Sequence, residues 1–235
     1  TAVRLREKPA LAKHPLFLEG AFEVQDEGSQ LLGFLLEPKR GEMVVDFCAG
    51  AGGKTLLLGA LMRNTGRLYA YDVSDKRLAN LKPRLSRSGL SNVHPARIEH
   101  ERDTKLKRLA GKADRVLVDA PCSGLGTLRR NPDLKWRQDE ASVAELTVKQ
   151  LSILEAASNM VRPGGRLVYA TCSLLTAEND HIVTAFLAKH PDFTLVPASA
   201  ILAKQGIAFD GDILRLLPNQ HNTDGFFAAA LEKKA

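Results

Sequence analysis

The sequence has 235 residues, of which 44% are apolar and 26% are charged, a composition typical of a globular protein with an ordinary apolar core. It contains no run of about 18 apolar residues, so we expect no membrane-spanning helix. Its three cysteines are too few for a disulfide scaffold, which favours the reducing environment of the cytoplasm. The net charge of +6 suits a polyanionic partner, and nucleic acid is the first candidate.

Residues 1–36 are predicted to be a lead segment that packs on the rest of the chain. The segment is basic at its start but lacks the apolar stretch of a signal peptide, and it does not begin with methionine, so a fragment of a longer protein is one interpretation. Residues 29–36 have the apolar spacing of a short amphipathic helix, which Pro38 and Gly41 end. Residues 37–235 are predicted to form one domain.

From residue 43 onward, apolar runs and helical patterns alternate along the chain. The predicted strands cover residues 43–47, 67–71, 94–98, 115–118 and 166–170, and a closing strand pair covers 213–217 and 225–231. The predicted helices cover residues 55–62, 75–87 and 141–161, and a further helix is capped by Thr176 and stops at Pro191. A Pro-Gly-Gly sequence at residues 163–165 is expected to end the third of these helices.

This alternation predicts an α/β fold with a doubly wound, mostly parallel sheet, closed by an antiparallel C-terminal strand. We expect the first five strands in the order 3-2-1-4-5. Ligands of such sheets bind beyond the carboxyl ends of the strands, at the point where the strand order reverses.

A glycine-rich turn, Cys-Ala-Gly-Ala-Gly-Gly-Lys at residues 48–54, follows the first predicted strand. A P-loop requires glycine where Cys48 stands, and a dinucleotide-binding turn requires a third glycine where Thr55 stands, so neither pattern fits. Asp72 follows the second strand, roughly 20 residues after the glycines, where a carboxylate can accept ribose hydroxyl protons. A nucleoside ligand without phosphates fits best, and S-adenosylmethionine is the common one. The alternatives are a plain tight turn and a solvated strand end.

The three cysteines each follow a predicted strand, and those strands are neighbours in the expected order, so Cys48, Cys122 and Cys172 should converge on one rim of the sheet. A zinc site is disfavoured because no ligand spacing is present; a buried structural role and a redox pair remain alternatives. A thiolate can add to C6 of cytosine and so make C5 reactive toward a methyl donor. Asp119, at the end of the fourth strand, could support N3 during that addition.

Several blocks of the sequence together resemble the Fmu/Sun (RsmB-like) RNA cytosine-C5 methyltransferases. The blocks are Asp-Phe-Cys-Ala-Gly-Ala-Gly-Gly-Lys at 46–54, Asp-Ala-Pro-Cys-Ser-Gly at 119–124, Arg-Asn-Pro-Asp-Leu-Lys-Trp at 130–136 and Ala-Thr-Cys-Ser at 170–173, with flanking blocks at 22–29 and 223–227. The resemblance implies a Rossmann-like methyltransferase fold, with residues 37–235 as the catalytic domain. Larger family members also carry an N-terminal RNA-binding domain, which is not evident here.

The resemblance further implies that Cys172 attacks C6 of cytosine and that Cys122 assists product release. Asp119 is the third catalytic candidate, from its place at the end of the fourth strand. DNA cytosine methyltransferases use the Pro-Cys cysteine as nucleophile, so the presence of both cysteines favours RNA as the substrate. Ribosomal RNA fits the family resemblance best, and transfer RNA stays open. S-adenosylmethionine is the implied cofactor. The residues expected to bind it are Cys48, Ala49, Gly50, Ala51, Gly52, Gly53, Lys54, Asp72, Glu99 and Asp119. Glu99 is chosen over Asp103 as the acid that follows the third strand.

A basic run follows the Asp-Ala-Pro-Cys turn and is expected to hold RNA phosphates, while Trp136 stacks on a base. Its cations are Arg129, Arg130, Lys135 and Arg137. The alternative is a solvated loop with a structural tryptophan. A second basic group on the 75–87 helix is interpreted as a solvated face. Two further functions stay open: methylation of another atom with structural cysteines, and a non-catalytic RNA-binding module.

Overall fold

The structure, a computed structural model, describes residue 3, residues 5–7 and residues 9–235. Residues 1, 2, 4 and 8 of the predicted lead segment lie outside the described residues. The strands are β1 (Met43–Asp46), β2 (Arg67–Asp72), β3 (Val93–Arg97), β4 (Ala113–Asp119), β5 (Val161–Thr171), β6 (Phe193–Val196), β7 (Leu214–Leu216) and β8 (Phe226–Lys233). The α-helices are α1 (Pro15–Leu18), α2 (Glu27–Leu36), α3 (Gly53–Leu61), α4 (Asp75–Ser88), α5 (Glu140–Ser158), α6 (Asp180–Lys189), α7 (Ala198–Ala203) and α8 (Pro218–His221).

The strands form one sheet in the order β3-β2-β1-β4-β5-β8-β6, and β7 pairs with β8. Strands β1 to β5 pair in parallel, whereas β8 runs antiparallel to β5, β6 and β7. The predicted order of the first five strands and the antiparallel C-terminal closure are therefore confirmed. Among the described residues, no helix has the length and apolar character needed to cross a membrane.

Alternating side chains of the central strands supply an apolar core on each face of the sheet. In β4, Val116 and Val118 pack with α5 and α6 on one face, while Leu117 packs with α2, α3, α4 and α7 on the other. All three side chains are fully buried, and each contributes roughly 1.5–3 kcal/mol of transfer free energy. Burial on both faces explains why these strands are continuous apolar runs in the sequence.

Residues 141–161, predicted to form one helix, form a helix and the start of a strand in the structure. Helix α5 ends at Ser158, and Val161 already belongs to β5, where it pairs with Ala113. The Pro-Gly-Gly sequence thus lies inside β5, at a shift in the pairing register with β4. A bulge accommodates it, since Gly164 has a φ of +69° that favours glycine. The apolar spacing continues from α5 into β5, so it could not reveal where the helix ends and the strand begins.

The prediction that Thr176 caps a helix is wrong. Thr176 opens a 3-10 turn that ends at Glu178, and α6 begins only after Asn179. The Asn179 amide bonds the Thr171 hydroxyl and the Ser173 carbonyl, so tertiary contacts with β5 set where the helix starts. The elements β6 and α7 were not predicted from the sequence.

Candidate active site

A cavity of about 530 Å³ opens beyond the carboxyl ends of β1, β2, β4 and β5, where the topology predicts a ligand. The predicted site residues that line it are Cys48, Ala49, Gly50, Ala51, Gly53, Lys54, Asp72, Asp119, Cys122 and Cys172. Gly52 and Glu99 were also predicted and do not line it. All three cysteines therefore border one cavity, as their places after neighbouring strands suggested.

Two glycines give the loop its shape for different reasons. Gly52 has a φ of +85°, and a Cβ there would come within 2.1 Å of a Leu81 methyl carbon, so this glycine serves the close packing of the loop on α4. Gly50 has a φ of +57°, and a Cβ there would meet no atom within 4 Å. The backbone near Gly50 is thus open to a ligand, as the sequence suggested for this turn.

The Asp72 carboxylate connects the end of β2 to the glycine loop. One oxygen accepts the Gly50 N–H at 2.9 Å, and the other accepts the Ser74 N–H at 2.8 Å and lies 3.3 Å from the Arg77 side chain. The side chain is buried yet borders the cavity, and its oxygens retain lone pairs for further donors. Such a carboxylate can accept protons from a vicinal diol.

The acid expected after β3 is not where the sequence suggested. Glu99 is exposed and lies outside the cavity, whereas Ile98 and Glu101 line it. Asp103, the second choice, accepts the N–H groups of Glu99 and Lys105 at 2.9 Å each and so caps a turn. The strand ends at Arg97, and the turn that follows faces Glu99 toward solvent.

The two catalytic candidates from β4 and β5 are in direct contact, with 3.4 Å between the Sγ atoms of Cys122 and Cys172. The hydrogen bond from Cys122, helped by the Lys54 charge and opposed by burial, lowers the pKa of Cys172. The same hydrogen bond, together with burial, raises the pKa of Cys122. Of the two sulfurs, Cys172 therefore loses its proton more readily, and this order of the pKa values makes Cys122 the donor of the pair.

Lys54 and Asp119 form an ion pair in the same cavity, with 2.7 Å between Nζ and Oδ2. Burial alone would lower the pKa of Lys54, but the charge and the hydrogen bond of Asp119 outweigh it and raise that pKa. Lys54 thus stays cationic near the Cys172 sulfur. Sequence reasoning included both residues but did not predict that they pair.

Cys48 differs from the other two cysteines. Burial raises the pKa of its thiol well above the usual range, and the nearby carboxylates of Asp119 and Asp46 add to the effect. This thiol stays protonated at neutral pH, so it is a component of the loop and not a nucleophile.

Asp46, the last residue of β1, is an acid that sequence reasoning did not assign to the site. It is completely buried, and its Oδ2 accepts the Thr55 hydroxyl at 2.7 Å, while its Oδ1 has no hydrogen-bond partner. Burial raises its pKa to about 7, although the Thr55 hydrogen bond opposes this. Its position directly before the glycine loop was the signal that could have identified it.

In the basic run that is expected to hold RNA phosphates, the first two residues have acidic partners within the chain. Arg129 contacts Asp224 at 2.7 Å and Asp26 at 2.8 Å, and Arg130 also pairs with Asp224, which is completely buried. These arginines tie the loop after β4 to the segments that precede α2 and β8. The sequence does not reveal the pairing because the acids lie about 95 to 103 residues away.

Trp136 lies on the outside of the same loop, with 81% of its surface exposed. Lys135 Nζ lies 4.8 Å from the centre of the ring, on its face. The alternative of a tryptophan packed inside the loop is therefore wrong.

The solvated face expected on the 75–87 helix also needs correction, because several of its cations have partners. Arg84 and Arg87 pair with Glu23, and Arg77 pairs with Asp72. Lys76 and Lys82 are exposed, as expected.

Comparison with known proteins relates the chain to a family of methyltransferases. A sequence model of the family described as 16S rRNA methyltransferase RsmB/F matches residues 33–232. A probable ribosomal RNA small subunit methyltransferase B from Synechocystis sp. is 39% identical over 95% of this chain and 50% of its own length. A protein of the same description from Bacillus subtilis is 37% identical over 99% of this chain and 52% of its own length. The chain thus spans about half the length of the curated relatives it matches.

Two solved structures share the fold closely. NSun6 from Pyrococcus horikoshii, solved with SFG, superimposes with a TM-score of 0.84 and 32% identity over 97% of this chain and 57% of that chain. A methyltransferase homolog protein from Pyrococcus horikoshii gives a TM-score of 0.80 and 31% identity over 97% of this chain and 73% of that chain. SFG is an analogue of S-adenosylmethionine.

S-adenosylmethionine, the cofactor predicted from the sequence, is the methyl donor of this family. The cavity fits it, because the backbone at Gly50 is uncovered and the Asp72 carboxylate borders the same space. The match over residues 33–232 and the identity to relatives along nearly the whole sequence confirm the resemblance seen in the signature blocks. The chain belongs to the 16S rRNA methyltransferase RsmB/F family.

Proposed function

We propose that this chain is the catalytic part of an RNA cytosine-C5 methyltransferase. Residues 37–235 would be the catalytic domain, with residues 1–36 as a lead segment packed on it. The observation that carries the proposal is the contact between Cys122 and Cys172, 3.4 Å apart in the cavity that also holds the glycine loop. A pair of unlike thiols beside a methyl-donor pocket suits a reaction in which one sulfur adds to the substrate and a second assists its departure.

The cofactor residues have distinct proposed tasks. Asp72 would accept the ribose hydroxyl protons, and the backbone of residues 48–54 would border the rest of the molecule. When bound, the cofactor supplies a methyl group on a positively charged sulfur. Glu101, which lines the cavity where Glu99 does not, would be the acid after β3 that borders the cofactor.

In the proposed reaction, the Cys172 thiolate uses its electron pair to form a bond to C6 of cytosine. The C5=C6 π electrons move into the ring, so that negative charge develops toward N3 and C5 becomes nucleophilic. Asp119 would pass to N3 the proton that the Lys54 ammonium donates to it, which neutralises the charge developing at N3. C5 would then accept the methyl group that the bound cofactor supplies, and the bonding electron pair would stay with the donor.

Release requires removal of the C5 proton by a base. The electrons of that C–H bond restore the C5=C6 double bond, and the C6–S bond breaks with its electron pair on Cys172. Cys122 would assist this step, since its thiol is the hydrogen-bond donor beside the leaving sulfur. The target cytosine must be unpaired or flipped, because a stacked base cannot reach the cavity.

Two substitutions test the proposal. Cys172→Ala should abolish transfer of a labelled methyl group to RNA while calorimetry still detects cofactor binding, because the nucleophile is lost and the loop is intact. Cys122→Ala should accumulate a covalent protein–RNA adduct, seen as a shifted band on a denaturing gel. The double variant is the matched control and should show no shifted band. Full methyl transfer by Cys172→Ala would refute the assignment.

Trapping by RNA that contains 5-azacytidine separates this function from methylation of another atom, because only a thiolate that adds to C6 is captured. The target is proposed to be ribosomal RNA, since the relatives carry ribosomal small-subunit descriptions. Bisulfite mapping of RNA from cells with and without the gene tests this choice, and a modified transfer RNA would instead support the alternative. A cytoplasmic location stays a prediction from the sequence.

A further inference from the structure

A buried carboxylate lies behind the two cysteine turns, on the side away from the cavity. Glu178 ends the 3-10 turn after β5 and is completely buried. In the part of the chain that the structure describes, no Lys, Arg or His side chain lies within ion-pair distance of it. A buried negative charge without a cation is costly unless hydrogen bonds satisfy it.

Those hydrogen bonds come from the residues next to the cysteines. Oε1 accepts the Ser123 N–H at 2.8 Å and the Gln150 side-chain amide at 2.9 Å. Oε2 accepts the Ser123 hydroxyl at 2.5 Å and also the Ser173 hydroxyl. Ser123 follows Cys122 and Ser173 follows Cys172, so one carboxylate binds both cysteine turns. Its four donors use the full capacity of an ionised carboxylate.

The surroundings hold this arrangement in place. The Gln150 amide also donates to the Pro121 carbonyl at 2.9 Å, so α5 fixes the residue that precedes Cys122. The Tyr169 hydroxyl, from β5, donates to the Glu178 carbonyl at 2.6 Å. Glu178 is therefore anchored to both cysteine turns and to β5, and a shift of either turn would break a bond to it.

The charge of Glu178 also acts on the two thiols unequally. The hydrogen bond with Cys172 and burial are the main causes of the raised pKa of Cys122, and the negative charge of Glu178 contributes to it. The bond with Cys122 is the main cause of the lowered pKa of Cys172, and the Lys54 charge adds to it, while burial and the Asp119 charge oppose it. The Glu178 charge thus favours the protonated form of Cys122, which keeps that thiol as the donor to Cys172.

We propose that Glu178 is a positioning residue that holds the two cysteine turns in register, so that the Cys122 thiol donates to the Cys172 sulfur. The catalytic meaning of this arrangement depends on the proposed function. Glu178 would act through Ser123 and Ser173 and would touch neither cofactor nor RNA. Sequence reasoning did not single out this residue, because it lies after the Thr-Cys block and its partners are 5 to 55 residues away.

The test measures thiol reactivity in the full chain without RNA. Iodoacetamide alkylation of Cys172 and Cys122 is followed from pH 5 to 10 by peptide mass spectrometry, in wild type and in Glu178→Gln. In wild type, Cys172 should react at lower pH than Cys122. In Glu178→Gln the Cys172 midpoint should rise and the Cys122 midpoint should fall, since the charge that kept Cys122 protonated is gone. Unchanged midpoints in a folded variant would overturn the proposal.

Methyl transfer is the second readout, and Glu178→Gln should lower its single-turnover rate about 100-fold, with cofactor affinity unchanged. The matched control is Glu155→Gln, which alters a carboxylate on α5 that pairs with Lys189 away from the cysteines, and it should keep both midpoints and the rate. Because alkylation needs no RNA, shifted midpoints without any methyl transfer in wild type would count against the proposed function alone.

A milder variant covers the case in which Glu178→Gln does not fold, as judged by circular dichroism. Ser173→Ala removes only the bond from the Cys172 turn and should raise the Cys172 midpoint in the same direction, by a smaller amount. Wild-type midpoints in folded Ser173→Ala would overturn the proposal in that case.

Discussion

At the scale of single residues, the carboxylates of the site differ in whether a cation lies beside them, and this difference affects their protonation. Asp119 has Lys54 as an ion-pair partner, whereas Asp46 has only the Thr55 hydroxyl and an unpartnered oxygen. An isolated buried carboxylate favours its protonated form, because burial penalises the charge. Asp46 therefore places a titrating group under the cofactor loop at neutral pH, which has a measurable effect on stability.

Asp46→Asn should change how stability depends on pH. The pKa of Asp46 is about 7 in the folded chain and 3.8 when unperturbed, so the folded chain binds the extra proton between these values. Wild-type stability should therefore fall as pH rises from about 4 to about 7, and this decline should be absent in the variant. Between pH 4 and pH 8, the free energy of unfolding of the variant should therefore rise relative to that of wild type by at most about 4 kcal/mol.

Urea denaturation of the cofactor-free chain at pH 5 and pH 8 measures this effect. Asp192→Asn, which changes a half-exposed carboxylate near Lys233, is the control and should run parallel to wild type. If Asp46→Asn also ran parallel to wild type across this range, the buried carboxyl would be ionised in the folded chain.

At the scale of elements, hydrogen bonds join three segments: the loop after β4, the loop after β5 and the segment before β8. The Gly126 N–H donates to the Cys172 carbonyl at 2.8 Å, and its carbonyl accepts the Gly225 N–H at 2.8 Å. A Cβ on Gly126 would come within 2.2 Å of the Gly225 carbonyl oxygen, so only glycine permits this approach. These contacts hold the loop against the Cys172 turn and the segment before β8, and its outer part presents Trp136 to solvent.

Trp136→Ala should weaken RNA binding about tenfold if the ring stacks on a base, since such stacking contributes about 1–3 kcal/mol. Because the sequence has one tryptophan, quenching of its fluorescence by RNA reports the contact directly in wild type, and filter binding compares the variants. Val148→Ala, which removes another exposed apolar side chain from α5, should bind as wild type does. Equal affinity of Trp136→Ala and wild type would exclude stacking.

At the scale of the whole molecule, much of the positive charge is used internally. Several arginines pair with buried or half-buried acids, among them Arg115 with Glu42 and Arg166 with Glu37. Each such pair joins one cation to one anion and leaves the net charge of +6 unchanged, but it gives the arginine an internal partner, so exposed lysines such as Lys135 are the better candidates for phosphate contacts. A modest number of phosphate contacts follows from this distribution.

RNA affinity should accordingly depend on salt, but moderately. Neutralising about three phosphates gives a slope near −2 in a plot of log affinity against log salt, or roughly a tenfold loss between about 50 and 200 mM. Lys135→Ala should reduce the slope by about 0.7. Titrations at several salt concentrations measure it, and an affinity independent of salt would contradict phosphate binding by this chain.

The sequence by itself determined the alternation of strands and helices, the order of the parallel strands, the glycine loop and the convergence of the cysteines on one rim. These features depend on the spacing of apolar residues within short segments and on general rules for connecting parallel strands, and both can be applied to the sequence alone. Asp72 and the cysteines were predictable for the same reason, because each lies at the end of an apolar strand or within three residues after it.

Only the tertiary structure decided which charges and thiols meet. The pairs Cys122–Cys172, Lys54–Asp119 and Arg129–Asp224 join residues 50 to 95 positions apart, and the four donors of Glu178 come from three separate segments. The bulge in β5, the place where α6 begins and the outward position of Glu99 are likewise set by contacts between elements. A pKa or a hydrogen bond depends on which residues are close in space, and the spacing of apolar residues along the chain does not indicate which distant residues meet.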